Sequence, residues 1–428
     1  MRDKIINYLK DKKILILGFA REGFSTYKFI RGFDKNIRLG IADIKELDFE
    51  KYKELKEDKN IDYFIGEDYL NSINNYDIVM KTPGVVLKDY KIEENIKKIT
   101  SQTDLFLRFT SNDVIGVTGT KGKSTTTSLI YYVLKQLGKN VVLAGNIGIP
   151  SFNVIGTLSK DTIVVYEMSC HQLENVKASP KVAILLNFYE EHLDHYTNYD
   201  AYINAKKNIY KFQNADDYLV CYDKLGIVDM KAKKIEVSFD EIDNYKIETK
   251  LRGRHNLFNI VVAIKTCNIF GVDSEDVLRE VKTFNGLPHR LEYVGCYNGI
   301  NFYNDSISTA VESTINGIES FEVVNTIIIG GLDRGIAYDK LVDYIDDSSI
   351  ENIILLPDTN RRIEELFKGK KSIKNINAVS NMNEAVNMAK MVTVKSGVCL
   401  FSPAAASYNM YKNFEERGDD YKNIVANN

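Results

Sequence analysis

The sequence predicts an α/β protein of several domains, in which parallel strands alternate with crossover helices. Three observations carry that expectation. A chain of 428 residues exceeds what one hydrophobic core organises. Short β-branched runs alternate with longer amphipathic stretches along most of it. Two of those runs end in glycine-containing turns that lead directly into helix-like sequence.

The runs "KILILG" (13–18), "RLGIAD" (38–43), "DIVMK" (77–81), "DVIGVTG" (113–119), "NVVLAG" (140–145), "TIVVYEMS" (162–169) and "KVAILLNF" (181–188) are nearly continuous apolar segments. Such segments suit strands covered on both faces, as in parallel sheets. The stretches 124–137 and 199–212 supply crossover helices, and 255–271 reads as another helix. The strand pattern resumes with "NTIIIGG" (325–331), "NIILLP" (352–357) and "GVCLFSP" (397–403). Two of only six prolines lie in "KTPGV" (81–85) and "GLPHR" (286–290), where joints near 90 and 290 divide the chain into 1–90, 91–290 and 291–428.

Composition narrows the function classes. The 56 basic and 59 acidic residues nearly cancel, which argues against a general nucleic-acid binder. Five cysteines are scattered without a CxxC pair, so buried free thiols in a reducing compartment are expected. The start "MRDKIINYLKDKK" has no apolar signal core, and no apolar run approaches the ~18–20 residues that span a bilayer. A soluble, cytoplasmic protein without a membrane partner is the expectation.

"GVTGTKGKSTTTSLI" (116–130) carries the clearest chemistry. A glycine turn entering a helix offers convergent N–H donors and a positive helix end to a phosphate. Gly116, Gly119 and Gly122 allow close backbone approach, Lys123 can reach terminal phosphates, and Ser124 or Thr125 can ligand Mg²⁺. The turn departs from the ordinary GxxxxGK[ST] pattern, since Val117 stands at its first glycine. The earlier "LGFAREGFSTYKFI" (17–30), with Gly18, Gly23 and Asp43 at the next strand's end, lacks GxGxxG spacing. A second anion site and a simple tight turn are equally open there.

Taken in order, further blocks resemble the Mur ligases, ATP-dependent amide-forming enzymes of cell-wall precursor assembly. "TGTKGKST" (118–125) matches that family's nucleotide loop, including its departure from the ordinary pattern. "GNIG" (145–148), "YEMSCHQLE" (166–174), "NFYEEHLDHY" (187–196), "YINAKKNIY" (202–210), "GRHNLFN" (253–259) and "LPHRLE" (287–292) follow in the family's order. "YNDSIST" (303–309), "GGLDRG" (330–335) and "SPAAASYNMYKNFEERG" (402–418) complete it, and the last two look most like the D-glutamate-adding branch.

The resemblance implies three domains: an N-terminal Rossmann-like UDP-binding domain, a central P-loop-type ATPase and a C-terminal Rossmann-like amino-acid domain. ATP would lie on Gly119, Thr120, Lys121, Gly122, Lys123, Ser124 and Thr125, with Asn256 and Asn259 on adenine. Arg290 and Asp305 would hold its γ-phosphate and ribose ends. The UDP substrate would meet Gly18, Phe19, Ala20, Asp43, Gly84, Asn146 and His192. Two Mg²⁺ ions would use Ser124 or Thr125, Glu167, His192 and Lys206, the last as a carbamate derived from CO₂. Lys123, Glu167, His192 and Lys206 would be catalytic, and Ser308, Thr309, Arg334, Ser407 and Phe414 would receive the amino acid. The implied partners are UDP-N-acetylmuramoyl-L-alanine, D-glutamate and ATP, bound by a monomer.

The residues alone give plainer readings beside these. His192 and His195 read as surface histidines, and only the resemblance lifts His192 out of that class. Lys207 reads as a solvated lysine beside Lys206, and His171 replaces a commonly aromatic family residue. In "DSISTA" (305–310), Ile307 and Ala310 stand where many relatives carry lysine and asparagine. That departure leaves L-glutamate or another acidic amino acid open. A folylpolyglutamate-synthase-like ligase and a non-catalytic nucleotide-binding homologue are the rival classes.

Overall fold

A computed structural model describes residues 1–87, 90, 95–189, 195–371 and 374–427. The strands form three sheets that follow one another along the chain. The first contains β1 (Ile14–Leu17), β2 (Leu39–Asp43), β3 (Ile61–Ile65), β4 (Ile78–Lys81) and β5 (Ile99–Thr100). Its order is β3-β2-β1-β4-β5, parallel throughout.

The second sheet contains β6 (Val114–Thr118), β7 (Val141–Gly145), β8 (Ile163–Glu167), β9 (Val182–Leu185), β10 (Tyr218–Tyr222) and β11 (Lys233–Val237). It is also parallel, in the order β11-β10-β9-β6-β8-β7. The third contains β12 (Glu292–Tyr297), β13 (Ile300–Asn304), β14 (Thr326–Ile329), β15 (Asn352–Leu355), β16 (Asn375–Ala378) and β17 (Val398–Phe401), in the order β12-β13-β17-β14-β15-β16. Only the β12–β13 pair is antiparallel.

The continuous apolar runs have the expected cause. Ile327 and Ile329 of β14 belong to one core of the third sheet, and Ile328 between them belongs to the other. Both faces are covered, so no polar alternation survives. Every strand anticipated from such a run is present. The reading passed over β3, β5, β10, β11, β16 and the β12–β13 hairpin. β3, β11 and β16 lie at sheet edges and bury few of their side chains. The hairpin had a readable signal: Asn298-Gly299, both at positive φ (53° and 80°), forms its two-residue turn.

The chain packs into two compact units, Met1–Lys246 with Phe258–Glu280, and Ile247–Leu257 with Val281–Asn428. The first unit holds the first two sheets, and the second holds the third. Four of the five cysteines are buried thiols, whereas Cys296 is exposed, which corrects the expectation of a wholly buried set.

Candidate functional site

The turn after β1 lies between the ends of β2 and β4, because Leu17 pairs with both Ala42 and Lys81. Gly18 sits at φ +88°, where a Cβ would stand 2.1 Å from Thr82 Oγ1. Asp43 braces the turn, accepting the Phe19 N–H at 2.7 Å and the Lys45 N–H at 2.9 Å. The Phe19 ring is in the core, so only its backbone faces the turn. Ala20 caps the helix Arg21–Arg31, and Gly84 has open space around its Cα. A helix N-terminus therefore follows a turn that glycine keeps narrow, which is the geometry of an anion cradle.

The loop after β6 repeats the plan in the second sheet. Glu167 at the end of β8 flanks it on one side, and Asn187 beyond β9 flanks it on the other. Gly119 (φ +154°) passes so close to Leu186 that a Cβ would lie 2.9 Å from that side chain. Gly122 (φ +87°) lies equally close to the Asn259 amide oxygen. The Thr120 and Lys121 N–H groups donate to Asn187 Oδ1 at 3.0 and 2.8 Å, and the Thr120 hydroxyl pairs with the Tyr202 hydroxyl at 2.7 Å. The helix Lys123–Gln136 starts directly after, with Ser124 and a buried Thr125 in its first turn.

Two ammonium groups converge on this loop. Lys123 Nζ donates to the Gly119 and Thr120 carbonyls at 2.9 and 2.8 Å. Lys206, in the helix Tyr199–Lys211, donates to the same Gly119 carbonyl at 2.9 Å. Lys206 is buried and Lys207 partly exposed, so the solvated reading applies only to the second. Glu167 is fully buried; Oε1 accepts the Asn146 amide at 2.7 Å, while Oε2 has no hydrogen-bond partner among the described residues. An unpaired buried carboxylate oxygen costs about 1–3 kcal/mol or more, so this site fits a divalent cation. His192 lies outside the described residues.

His195 overturns an expectation. It is 7% exposed rather than on the surface, with its Nε2 3.6 Å from Glu174 Oε2 and its ring 4.1 Å from that of His171. His171 in turn stacks on Tyr196. Burial alone would raise the Glu174 carboxyl, but the His195 ring and the Lys81 ammonium hold it at about 2.

In the second unit the candidate residues gather outside the carboxyl ends of β13, β14 and β17, the usual ligand side of a parallel sheet. Asp305 is buried and accepts the Ser402 hydroxyl at 2.7 Å and the Leu291 N–H at 3.2 Å. Desolvation raises its pKa to about 6. Ser308 and Ser407 are buried, Thr309 is partly exposed, and Arg290 and Arg334 are exposed. The Phe414 carbonyl accepts the Ser306 hydroxyl at 2.8 Å. Asn256 Nδ2 donates to the Arg252 carbonyl at 2.6 Å.

Sequence reasoning missed Arg417, which is 2% exposed and donates to Ser306 Oγ, the Ser306 carbonyl and the Ala405 carbonyl. No spacing rule singles it out, because its partners come from two distant loops.

Comparison with known proteins decides the family. The Mur ligase middle domain matches residues 117–238. A UDP-N-acetylmuramoylalanine–D-glutamate ligase of Clostridium botulinum is 32% identical over 99% of this chain and 98% of its own length. The chain belongs to the Mur ligase family. A ligase of the same name from Clostridium kluyveri is 34% identical, again over 99% of this chain and 98% of its own.

Solved Mur ligases share the fold. The UDP-N-acetylmuramate-alanine ligase of Thermotoga maritima aligns over 97% of this chain and 99% of its own, with a TM-score of 0.55 and 19% identity. The MurF ligase of the same organism, in complex with ADP, aligns over 98% and 96%, with a TM-score of 0.57 and 15% identity. Within this Mur ligase, Asn187 and Tyr202, which hold the β6 loop through hydrogen bonds, were overlooked by sequence reasoning. Asn187 stands just beyond a parallel strand's carboxyl end, a position that could have flagged it.

Proposed function

We infer that this Mur ligase uses ATP to join D-glutamate to UDP-N-acetylmuramoyl-L-alanine in peptidoglycan precursor synthesis. The observation that carries the chemistry is the β6 loop, where Lys123 and Lys206 bond the same Gly119 carbonyl and the neighbouring strand β8 ends in a buried Glu167 with one oxygen unpaired among the described residues. A carboxylate is a poor electrophile, so its oxygen first attacks the γ-phosphorus, and ADP leaves. The glutamate amine then attacks the acyl carbon, loses its proton, and phosphate departs.

Lys123 stabilises charge on the β- and γ-phosphates, and the loop N–H groups hold them in line. Mg²⁺ would supply the charge that offsets repulsion between carboxylate and γ-phosphate. Two ions would be held by Ser124 or Thr125, Glu167, His192 and Lys206 as its carbamate. Residues 1–90 take the UDP moiety on Gly18, Phe19, Ala20, Asp43 and Gly84, and Asn146 and His192 of residues 91–290 complete that site. Residues 91–290 take ATP, with Asn256 and Asn259 toward adenine. Residues 291–428 take glutamate on Ser308, Thr309, Arg334, Ser407 and Phe414, where an arginine suits a carboxylate. Arg290 and Asp305 serve the nucleotide. The enzyme acts in the cytoplasm as a monomer; no helix among the described residues is long and apolar enough to cross a membrane.

An ADP-release screen of UDP-muramoyl precursors against single amino acids tests this. UDP-N-acetylmuramoyl-L-alanine with D-glutamate should turn over fastest. Equal or faster turnover with L-glutamate rejects the stereochemistry, and turnover with folate substrates alone rejects the assignment.

A further inference from the structure

Lys81 closes β4, and its side chain is 3% exposed. Its ammonium donates to Glu174 Oε2 at 3.0 Å, across 93 residues of sequence. Glu174 directly follows the helix Cys170–Leu173, which Ser169 and Gln172 cap reciprocally just after Glu167. The Asn208 side chain, from the helix that carries Lys206, donates to the Leu173 carbonyl at 3.0 Å. A strand end of the first sheet is thereby tied to the segment between Glu167 and Lys206 in the second. The Glu22 carboxyl, hydrogen-bonded with Gln172, faces the same ammonium. A parallel link runs from Arg21 Nη2 to the Asn146 carbonyl at 3.2 Å, and from the Asn146 amide to Glu167.

A buried ion pair adds little stability over an apolar pair of the same volume, but it fixes one arrangement of the parts it joins. Such an arrangement matters where two ligands must meet. The β1 turn and the β6 loop belong to different sheets of one compact unit. If they hold UDP and ATP, the substrate carboxylate reaches the γ-phosphorus only at one span, and a 1 Å error can cost about 100-fold in rate.

We propose that the Lys81–Glu174 pair is the strut that sets this span, making Lys81 a positioning residue for acyl phosphorylation. The proposal rests on the substrate assignment above, and its test separates the two. Wild-type enzyme is assayed first with UDP-N-acetylmuramoyl-L-alanine, D-glutamate and ATP. No turnover there counts against the assignment alone.

With turnover established, Lys81→Met and Glu174→Gln should each lower kcat about tenfold or more, while KM for ATP and calorimetric Kd for UDP stay within about twofold. The double variant should be no worse than the poorer single one, and Lys81→Arg should keep most of kcat. Unchanged kcat in both single variants overturns the strut. So do fully additive losses, or a loss of UDP affinity as large as the loss of kcat, which would indicate direct substrate contact. If Lys81→Met fails to fold, the nearly isosteric Glu174→Gln decides on the same criteria. Hydrogen exchange reads the strut without substrate: amides 17–24 and 168–175 should lose protection together in either variant, and unchanged protection overturns it.

Discussion

Lys206 and Lys207 are chain neighbours with opposite surroundings, and their chemistry should differ accordingly. Lys206 is enclosed, with its ammonium 4.6 Å from the Tyr202 ring centre and bonded to the Gly119 carbonyl. Carbamylation adds CO₂ to the neutral amine, releases a proton and leaves an anionic oxygen ligand. Activity should therefore fall in CO₂-depleted buffer and return with bicarbonate. Lys206→Ala should lose about 100-fold in kcat, and Lys207→Ala should stay within about twofold. Lys206→Arg should not respond to bicarbonate, because guanidinium keeps its charge; full activity of that variant would remove the carbamate.

Glu22 gives a test by pH at the same scale. As a residue it is only partly buried, but its carboxyl is enclosed, and desolvation raises its pKa from 4.5 to about 7. A carboxyl raised in the folded state binds more protons there than in the unfolded chain. Its contribution to stability is therefore largest below about 4.5 and declines as pH rises toward 7. Glu22→Gln should flatten this decline, so that its Tm relative to wild type is higher at pH 8 than at pH 5. Thermal melts across that range check it, and a constant offset would refute the sign.

At the scale of elements, the site depends on turns and caps that hold helices in place. Asn198 caps the helix Tyr199–Lys211 by accepting the Ala201 N–H at 2.8 Å. Asn198→Ala should cost about 1 kcal/mol of stability, measured by denaturant titration. Gly18→Ala places a Cβ against Thr82 at a positive φ, so the β1 turn must open. Calorimetry should show a marked loss of UDP-precursor affinity with ATP affinity retained. The elements that sequence revealed most clearly were strands covered on both faces, where apolar residues run on without interruption. Edge strands such as β11, with exposed Lys233 and Lys234, carry no such signal because water covers one side of them.

Across the molecule, one plan is used twice: a turn leaves a parallel strand and enters a helix between the ends of two neighbouring strands. Ends of the β2 and β4 strands bracket the first turn, and ends of β8 and β9 bracket the second. Separate sites on separate sheets should respond separately. Lys123→Ala should abolish ADP release while leaving the Kd for the UDP precursor within about twofold, by calorimetric titration. A large loss of that affinity would mean that the turns share one ligand.

The doubly covered strands and the glycine turns were legible in the sequence, because those features leave local marks; the order of strands within each sheet was not. A doubly covered strand is an apolar run, and a positive φ calls for glycine at Gly18, Gly119 and Gly122. The surroundings of the side chains were not legible. Lys206 reaches Gly119 across 87 residues, and Lys81 reaches Glu174 across 93. His195 reads as a surface residue until Glu174 and His171 are packed against it. The lone oxygen of Glu167 exists only once β8 is buried between β6 and β7. Burial and charge pairing are set by residues far apart in the chain, which the parallel sheets bring to the same strand ends, so only the tertiary structure decides them.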